Sequence, residues 1–284
     1  MSSAPRVPGT ILVSVFPAAP GGGNPAPIVP DARGLTGEAM RLIAAHHGHE
    51  SAFVLPPVDS ASADRRFRFF VPAHEMEMCG HASLGAAWLL RRRGEAPGAT
   101  LHIETLSGPV RAIFMDDTVE LTQPAGRAAA VADLAPILTA LGITAADLAD
   151  APVLNATTSR IKTLIPLRDV ARLHALAPDP GAVRAACEAI GSTGLYPYVL
   201  ANSASAHARQ FPQNSGYPED AATGIAATAL YAGLCTLGAA PLVLTVRQGE
   251  AMGRPSEIFV RRGPDGTGLR LSGRVELLDE VTHP

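Results

Sequence analysis

Residues 79–81 read Cys-Gly-His where an apolar, small-residue run begins, "MCGHASLGAAWLL". A thiol at a helix N-terminus has a lowered pKa and can serve as an acid–base group or a nucleophile. A small buried apolar residue would occupy the same place without chemistry. Glu50, in "HHGHESAFV", lies between a helix end and an apolar strand. A general base there needs burial, which lifts a carboxyl pKa from its reference near about 4.3. The "AFVL" that follows offers that burial; in a solvated turn Glu50 would be an ordinary surface carboxylate. Glu219 and Asp220 precede a second small-residue run, "TGIAATALYAGL". They read either as N-terminal caps or as carboxylates aimed at a ligand. Glu75 and Thr223 complete the set of candidates.

Several chemistries fit poorly. "GHASLG" misses G-x-S-x-G by one position, so a nucleophile elbow is not expected. His46, His47 and His49 do not form H-E-x-x-H, and no metal is assigned to them. A racemase working with two opposed thiols would need a second cysteine at the position equivalent to Cys79, and that position holds Thr223.

The elements that must position these residues follow from hydrophobic period and punctuation. "TILVSVF" predicts a first strand rather than a signal peptide, and "GGGNPAPIV" a loop leading into a second. "TGEAMRLIAAHHG" predicts a helix with Thr36 as N-cap and Gly48 past its end. "SAFVLPP" and the period-two "RRFRFFVPA" predict strands. A helix starts near Gly80 and ends in Arg91-Arg92-Arg93 and Gly94, with cations complementing the dipole. "VRAIFMDDTVELTQP" predicts a hairpin turning at Asp116-Asp117. Farther on, "RIKTLIPL", "LYPYVLA" and "AHARQFP" predict strands, and "DVARLHAL" and "AVRAACEAIG" helices. A helix begins near Gly224. "LVLTVRQG", "EIFVRRG" and "LRLSGRVELL" predict antiparallel strands.

The runs at Gly80 and Gly224 share a layout. Each has glycine at the start, alanine two positions later, and leucine at the tenth position after the glycine. This predicts two halves on one plan, 1–126 and 127–284, with the last residues able to return to the first half and a break near residues 124–136. Two such helices facing each other would aim backbone N–H groups into one cleft, a setting for a substrate carboxylate.

At 284 residues, 47% hydrophobic, 17% charged and net charge -3, the chain reads as a folded protein with no basic tract for nucleic acid. No stretch has membrane length. Three widely spaced cysteines argue against a disulfide framework and for a reduced, cytoplasmic setting.

Motifs in sequence order resemble the PhzF-like family, phenazine-biosynthesis isomerases with the diaminopimelate epimerase fold. "GGGNP", containing Asn24, resembles its G-N-P loop. "VPAHEMEMCGHASLGAA" resembles P-x-x-E-x-x-x-C-G-H-A-T, and "TLSG" resembles T-x-S-G. "RQFPQNSGYPEDAATGIAA" resembles R-x-F-x-P…E-D-P-A-T-G-S-A, and "RQGEAMGRPSEIFV" resembles Q-G-x-x-M-G-R-P-S. The resemblance spans nearly the whole chain. It implies an α+β fold of two similar domains, each a β-barrel-like sheet wrapped around a central α-helix. It also implies a homodimer with no metal or organic cofactor.

Carried over, Glu50 moves a proton, and His81 and Asp220 bind and orient a substrate amine or hydroxyl. The backbone at Gly80 and Gly224 holds a carboxylate. Asn24, Cys79, Thr223 and Ile225 fall among the substrate-binding positions. The expected function is therefore a cofactor-independent isomerase of a small carboxylated substrate, in secondary metabolism. A lyase or cyclase, an epimerase, or a non-catalytic binder on the same scaffold are the alternatives. Three positions depart from the family pattern: His49 for Ser, Ala221 for Pro, and Ile225 for Ser. The isoleucine cannot donate the hydrogen bond that a serine would.

Overall fold

A computed structural model describes residues 9–116, 118–264 and 266–281 of the chain. Two compact units divide it. One holds Pro25–Leu121 with residues 9–15 and 275–281; the other holds Phe16–Asn24 and the described residues of Thr122–Arg274.

The first unit contains β1 (Thr10–Val15), β2 (Asn24–Val29), α1 (Gly37–His47), β3 (Ser51–Leu55) and β4 (Arg65–Phe70). It continues through β5 (Glu75–Met76), α2 (Gly80–Arg92), β6 (Thr100–Thr105), β7 (Gly108–Met115) and β8 (Thr118–Gln123), with Asn24 of β2 and the last two residues of β8 falling in the second unit. β2 and β3 run parallel, β3 and β4 antiparallel, and β6 and β7 form a hairpin. The final strand of the chain, Val275–Val281, returns antiparallel to β1.

Local chemistry accounts for these elements. In β4 the period-two pattern holds: Phe67 and Phe69 are buried, while Arg66 and Arg68 are only partly so. α1 starts where Thr36 accepts from Ala39 N at 3.2 Å and stops at Gly48 in the left-handed region. The Arg91–Arg93 run is structural. Arg91 Nη1 donates to the carbonyls of Ala96, Pro97 and Gly98, and Arg93 pairs with Glu95 at 2.6 Å. The predicted turn residue Asp117 lies outside the described residues.

α2 packs against β1, β3, β7 and the returning strand, and most of its residues are buried. Its small residues let the strands close in. A Cβ at Gly85 would lie 2.9 Å from Val13 Cγ2 and 3.0 Å from Val15 Cγ2. Valine is stiff at χ1 and cannot swing aside. Gly85→Ala is therefore expected to destabilise by about 1–3 kcal/mol through overpacking, less the roughly 0.5–1 kcal/mol that alanine adds in a helix. Urea unfolding measures the net change, and a stabilised variant would refute the close-approach argument.

The second unit contains β9 (Arg127–Ala130), α3 (Ala135–Leu141), β10 (Leu154–Thr157), β11 (Ile161–Pro166), α4 (Val170–His174) and α5 (Pro180–Ile190). β12 (Gly194–Asn202), β13 (Ser205–Ala208), β14 (Phe211–Pro212), α6 (Gly224–Thr236), β15 (Val243–Gln248), β16 (Ser256–Arg262) and β17 (Leu269–Ser272) follow, before the returning β18 (Val275–Val281). Pairing is antiparallel through β9, β10 and β11, and again through β15, β16 and β17. β11 runs parallel to β12, and β13 parallel to β15. Strands again surround one small-residue helix, α6, which contacts β9, β10, β11, β16 and β17. α6 is buried from Gly224 to Leu234, so it carries no polar face. A second apolar core joins α3, α4 and α5 to the outer side of the strands through Ile137, Leu173, Val183 and Leu195.

The architecture is thus α+β, two similar units each with strands around a central helix. "LRLSGRVELL" is not one strand. β17 pairs with β16, and β18 pairs with β1 of the other unit's chain segment. No helix among the described residues is long and apolar enough to cross a membrane.

Candidate functional site

In the first unit, α1 ends at His47, and Glu50 sits in the short link before β3. α2 starts at Gly80, so Cys79 is its N-cap and His81 lies in its first turn. The three side chains meet. Cys79 Sγ donates to Glu50 Oε2 at 2.9 Å and lies 3.3 Å from His81 Nδ1. His81 Nδ1 is 3.5 Å from the same Glu50 oxygen. The side chains of His81 and Glu50 are 4% and 11% exposed, and Cys79 is buried. Glu50 is therefore not a solvated turn residue. His81 Nε2 is buried and has no protein partner among the described residues. A buried nitrogen without a partner carries a desolvation cost that a bound ligand would remove.

In the second unit, the loop before α6 holds Asp220. Asn24 Nδ2 donates to Asp220 Oδ1 at 2.7 Å and to the Ala222 carbonyl at 3.0 Å. The hydroxyl of Thr223, the N-cap of α6, donates to Asp220 Oδ2. Asp220 is buried. Asn24, Asp220, Ala222 and Thr223 thus form one hydrogen-bonded corner just before Gly224. Ile225 follows in the first helical turn, 6% exposed.

The two helices share an unusual start. Neither Cys79 nor Thr223 caps its own helix with a side-chain hydrogen bond. Each instead spends its side chain on a carboxylate, Glu50 in one unit and Asp220 in the other. The first-turn N–H groups are left without a side-chain acceptor and form a positive end suited to an anion.

Two candidate carboxylates are used structurally. Glu75 holds Arg68 bidentately, at 2.7 Å through each oxygen. Glu219 holds Arg209 at 2.8 and 2.6 Å. Their local sequences read as acidic residues near a site. Arg68 lies seven residues before Glu75 and outside its motif, whereas Arg209, ten residues before Glu219, opens the same motif.

Two residues that residue-type reasoning passed over do the positioning. Gln248, fully buried, donates to the Asp220 carbonyl at 2.7 Å and to Thr223 Oγ1 at 3.2 Å. Its Oε1 accepts from Tyr196 OH at 3.1 Å and from Thr223 N at 3.3 Å. Burial, and secondarily the Asp220 charge, push the Tyr196 phenol well above its ordinary pKa. It stays a neutral donor. Gln248 opens the "QGEAMGRPS" stretch, so a signal for it existed.

Comparison with known proteins adds to this geometry. The profile of the phenazine biosynthesis-like protein family, PhzC-PhzF, matches residues 13–277. The chain belongs to this family. Among its relatives, a Deinococcus radiodurans protein described as an uncharacterized isomerase is 34% identical over 90% of this chain and 87% of its own. The trans-2,3-dihydro-3-hydroxyanthranilate isomerase of Pseudomonas aeruginosa is 31% identical over 92% of each chain. The crystal structure of a Bacillus anthracis phenazine biosynthesis protein of the PhzF family superposes with a TM-score of 0.85 at 26% identity, covering 96% of this chain and 97% of that one. With these relatives the chain is placed as a PhzF-like isomerase of the α+β fold described above.

Within this PhzF-like site the thiol reads as a holder of the carboxylate. Cys79→Ser keeps a donor toward Glu50, so turnover is expected to stay within about tenfold of wild type, the size of one modest hydrogen bond. A steady-state assay of the serine variant checks this; complete loss would make the sulfur a participant in the chemistry.

Proposed function

We propose that the protein is a cofactor-independent isomerase that shifts a proton on a small carboxylated amino or hydroxy substrate. Glu50 takes a proton from one carbon, the π electrons move along the conjugated system, and Glu50 returns the proton to a second carbon. His81 and Asp220 bind and orient the substrate's amine or hydroxyl. The uncapped helix starts at Gly80 and at Gly224 are each suited to a carboxylate.

The observation that carries this reading is the Glu50 carboxylate. It is 11% exposed, and a thiol donor and an imidazole lie at one of its oxygens. The unpartnered His81 Nε2 supports a polar ligand beside it. The hydroxyanthranilate isomerase among the relatives supplies a first substrate to test. Ile225, without a hydroxyl, argues that the substrate differs from that of proteins carrying serine there. A cytoplasmic homodimer acting in secondary metabolism is the setting we propose.

The test is proton NMR in D2O. The protein is incubated with trans-2,3-dihydro-3-hydroxyanthranilate and with cyclic and acyclic amino and hydroxy acids. Double-bond migration or deuterium uptake is expected with at least one. Stereoinversion at a single carbon would support an epimerase, and loss of a small fragment a lyase. Line broadening without reaction across the panel would sink the isomerase reading in favour of a binder.

A further inference from the structure

A second cluster of ligating side chains lies in the second unit, and none of its members belongs to the site above. Glu250 Oε2 lies 2.6 Å from His207 Nδ1 and 3.3 Å from His174 Nε2. All three ligand atoms fall within 4.8 Å of one another. We propose that His174, His207 and Glu250 form a binding site for a first-row divalent transition-metal ion of the zinc class.

The donor set selects the ion. Two imidazole nitrogens and one carboxylate oxygen suit zinc, cobalt, nickel or copper, whereas calcium and magnesium take oxygen ligands. With bonds of about 2.0–2.1 Å, the edge of a zinc tetrahedron is roughly 3.3 Å. The His174–Glu250 separation already has that length, and the His207–Glu250 pair, hydrogen-bonded at 2.6 Å, would open by roughly 0.7 Å to admit the ion. Two imidazoles converge on one carboxylate oxygen. A single protonated imidazole would neutralise that oxygen, so an ion pair alone does not call for both.

The three side chains hang from backbones fixed by other bonds. His207 lies on β13, where it pairs with Arg247 of β15. Glu250 follows Gly249, whose φ is +77°. A Cβ there would lie 2.2 Å from the Arg254 carbonyl oxygen and 2.7 Å from that of Ala221. Only glycine fits there, and the turn that presents Glu250 is held by Met252 N and Arg254 N, which both donate to the Gly249 carbonyl at 3.0 Å. His174 closes α4, and Arg209 Nη1 donates to the carbonyls of Leu173, His174 and Leu176 at 3.0, 3.1 and 2.6 Å. Such fixed supports distinguish a built site from a loose surface pair. The side chains of His174, His207 and Glu250 are 36%, 17% and 30% exposed, which leaves the remaining coordination positions to water. An ion there ties α4, β13 and the turn after β15 together, two residues from Gln248, which holds Asp220.

The test uses tag-free, full-length protein stripped with EDTA. Zn2+ is titrated by calorimetry and Co2+ by visible absorption at neutral pH. One equivalent per chain is expected, with cobalt d–d bands and no thiolate-to-cobalt charge-transfer band. His174→Ala and His207→Ala should each weaken binding by more than about tenfold. His174 is the most exposed of the three, so its variant keeps the fold, as a thermal melt will verify. No saturable binding would overturn the proposal, as would affinity unchanged in both variants. A thiolate band that vanishes in Cys79→Ser would also overturn it, by moving the ion to Glu50, Cys79 and His81.

Discussion

Glu50→Gln is expected to lower the rate of proton transfer by about 10²–10⁴, the usual contribution of a positioned general base. The amide has the shape of the carboxylate, and its oxygen still accepts from Cys79, so the neighbourhood is preserved. What is lost is the oxygen's capacity to take a proton. Substrate affinity and thermal stability should therefore change little while turnover falls. Single-turnover NMR with the substrate identified in the panel reads both quantities. Activity within tenfold of wild type would show that another group carries the proton. A large loss of affinity with turnover unchanged would make Glu50 a binding residue instead.

The largest effect on stability is expected at Arg209. Its guanidinium is buried, holds Glu219 through two short bonds, and takes three carbonyls at the end of α4. The Arg209 and Glu219 side chains are 8% and 11% exposed. Arg209→Leu removes one partner of a buried pair and leaves the Glu219 charge and the carbonyls uncompensated. The expected cost is about 3–5 kcal/mol, measured by chemical denaturation. The double variant Arg209→Leu/Glu219→Leu should recover part of it, because no charge is then stranded. A single variant as stable as wild type would mean that solvent reaches Glu219 freely.

Much of the scaffold was legible in the residues. Thr36 and Gly48 bound α1 because their capping chemistry is local. The glycine starts and small-residue runs of α2 and α6 reveal central helices because close strand approach demands small side chains. β9 and α3 carry no local signal. They lie in and beside residues 124–136, where alanine-rich composition suggested a break. Alanine has no strong preference for strands, and β9 is set by its pairing with β10. Glu50, Cys79 and His81 were expected together, and the structure brings them together. The role of Glu75 depends on Arg68, outside its motif, and that of Glu219 on Arg209, which shares its motif but is brought beside it only by the fold. His174, His207 and Glu250 are too far apart in sequence for any motif to join them.

The diverted caps of α2 and α6 also bear on the trade-off between stability and function. A side-chain cap is usually worth about 0.5–2 kcal/mol, and the resting protein forgoes it at both central helices. Thr223, among the better capping residues, would satisfy its helix if its hydroxyl were released from Asp220. The chain thus leaves two of its most buried helices without a side-chain cap at their N-termini. An anionic ligand at either end would supply the missing interactions and raise the melting temperature more than its contact area alone would suggest.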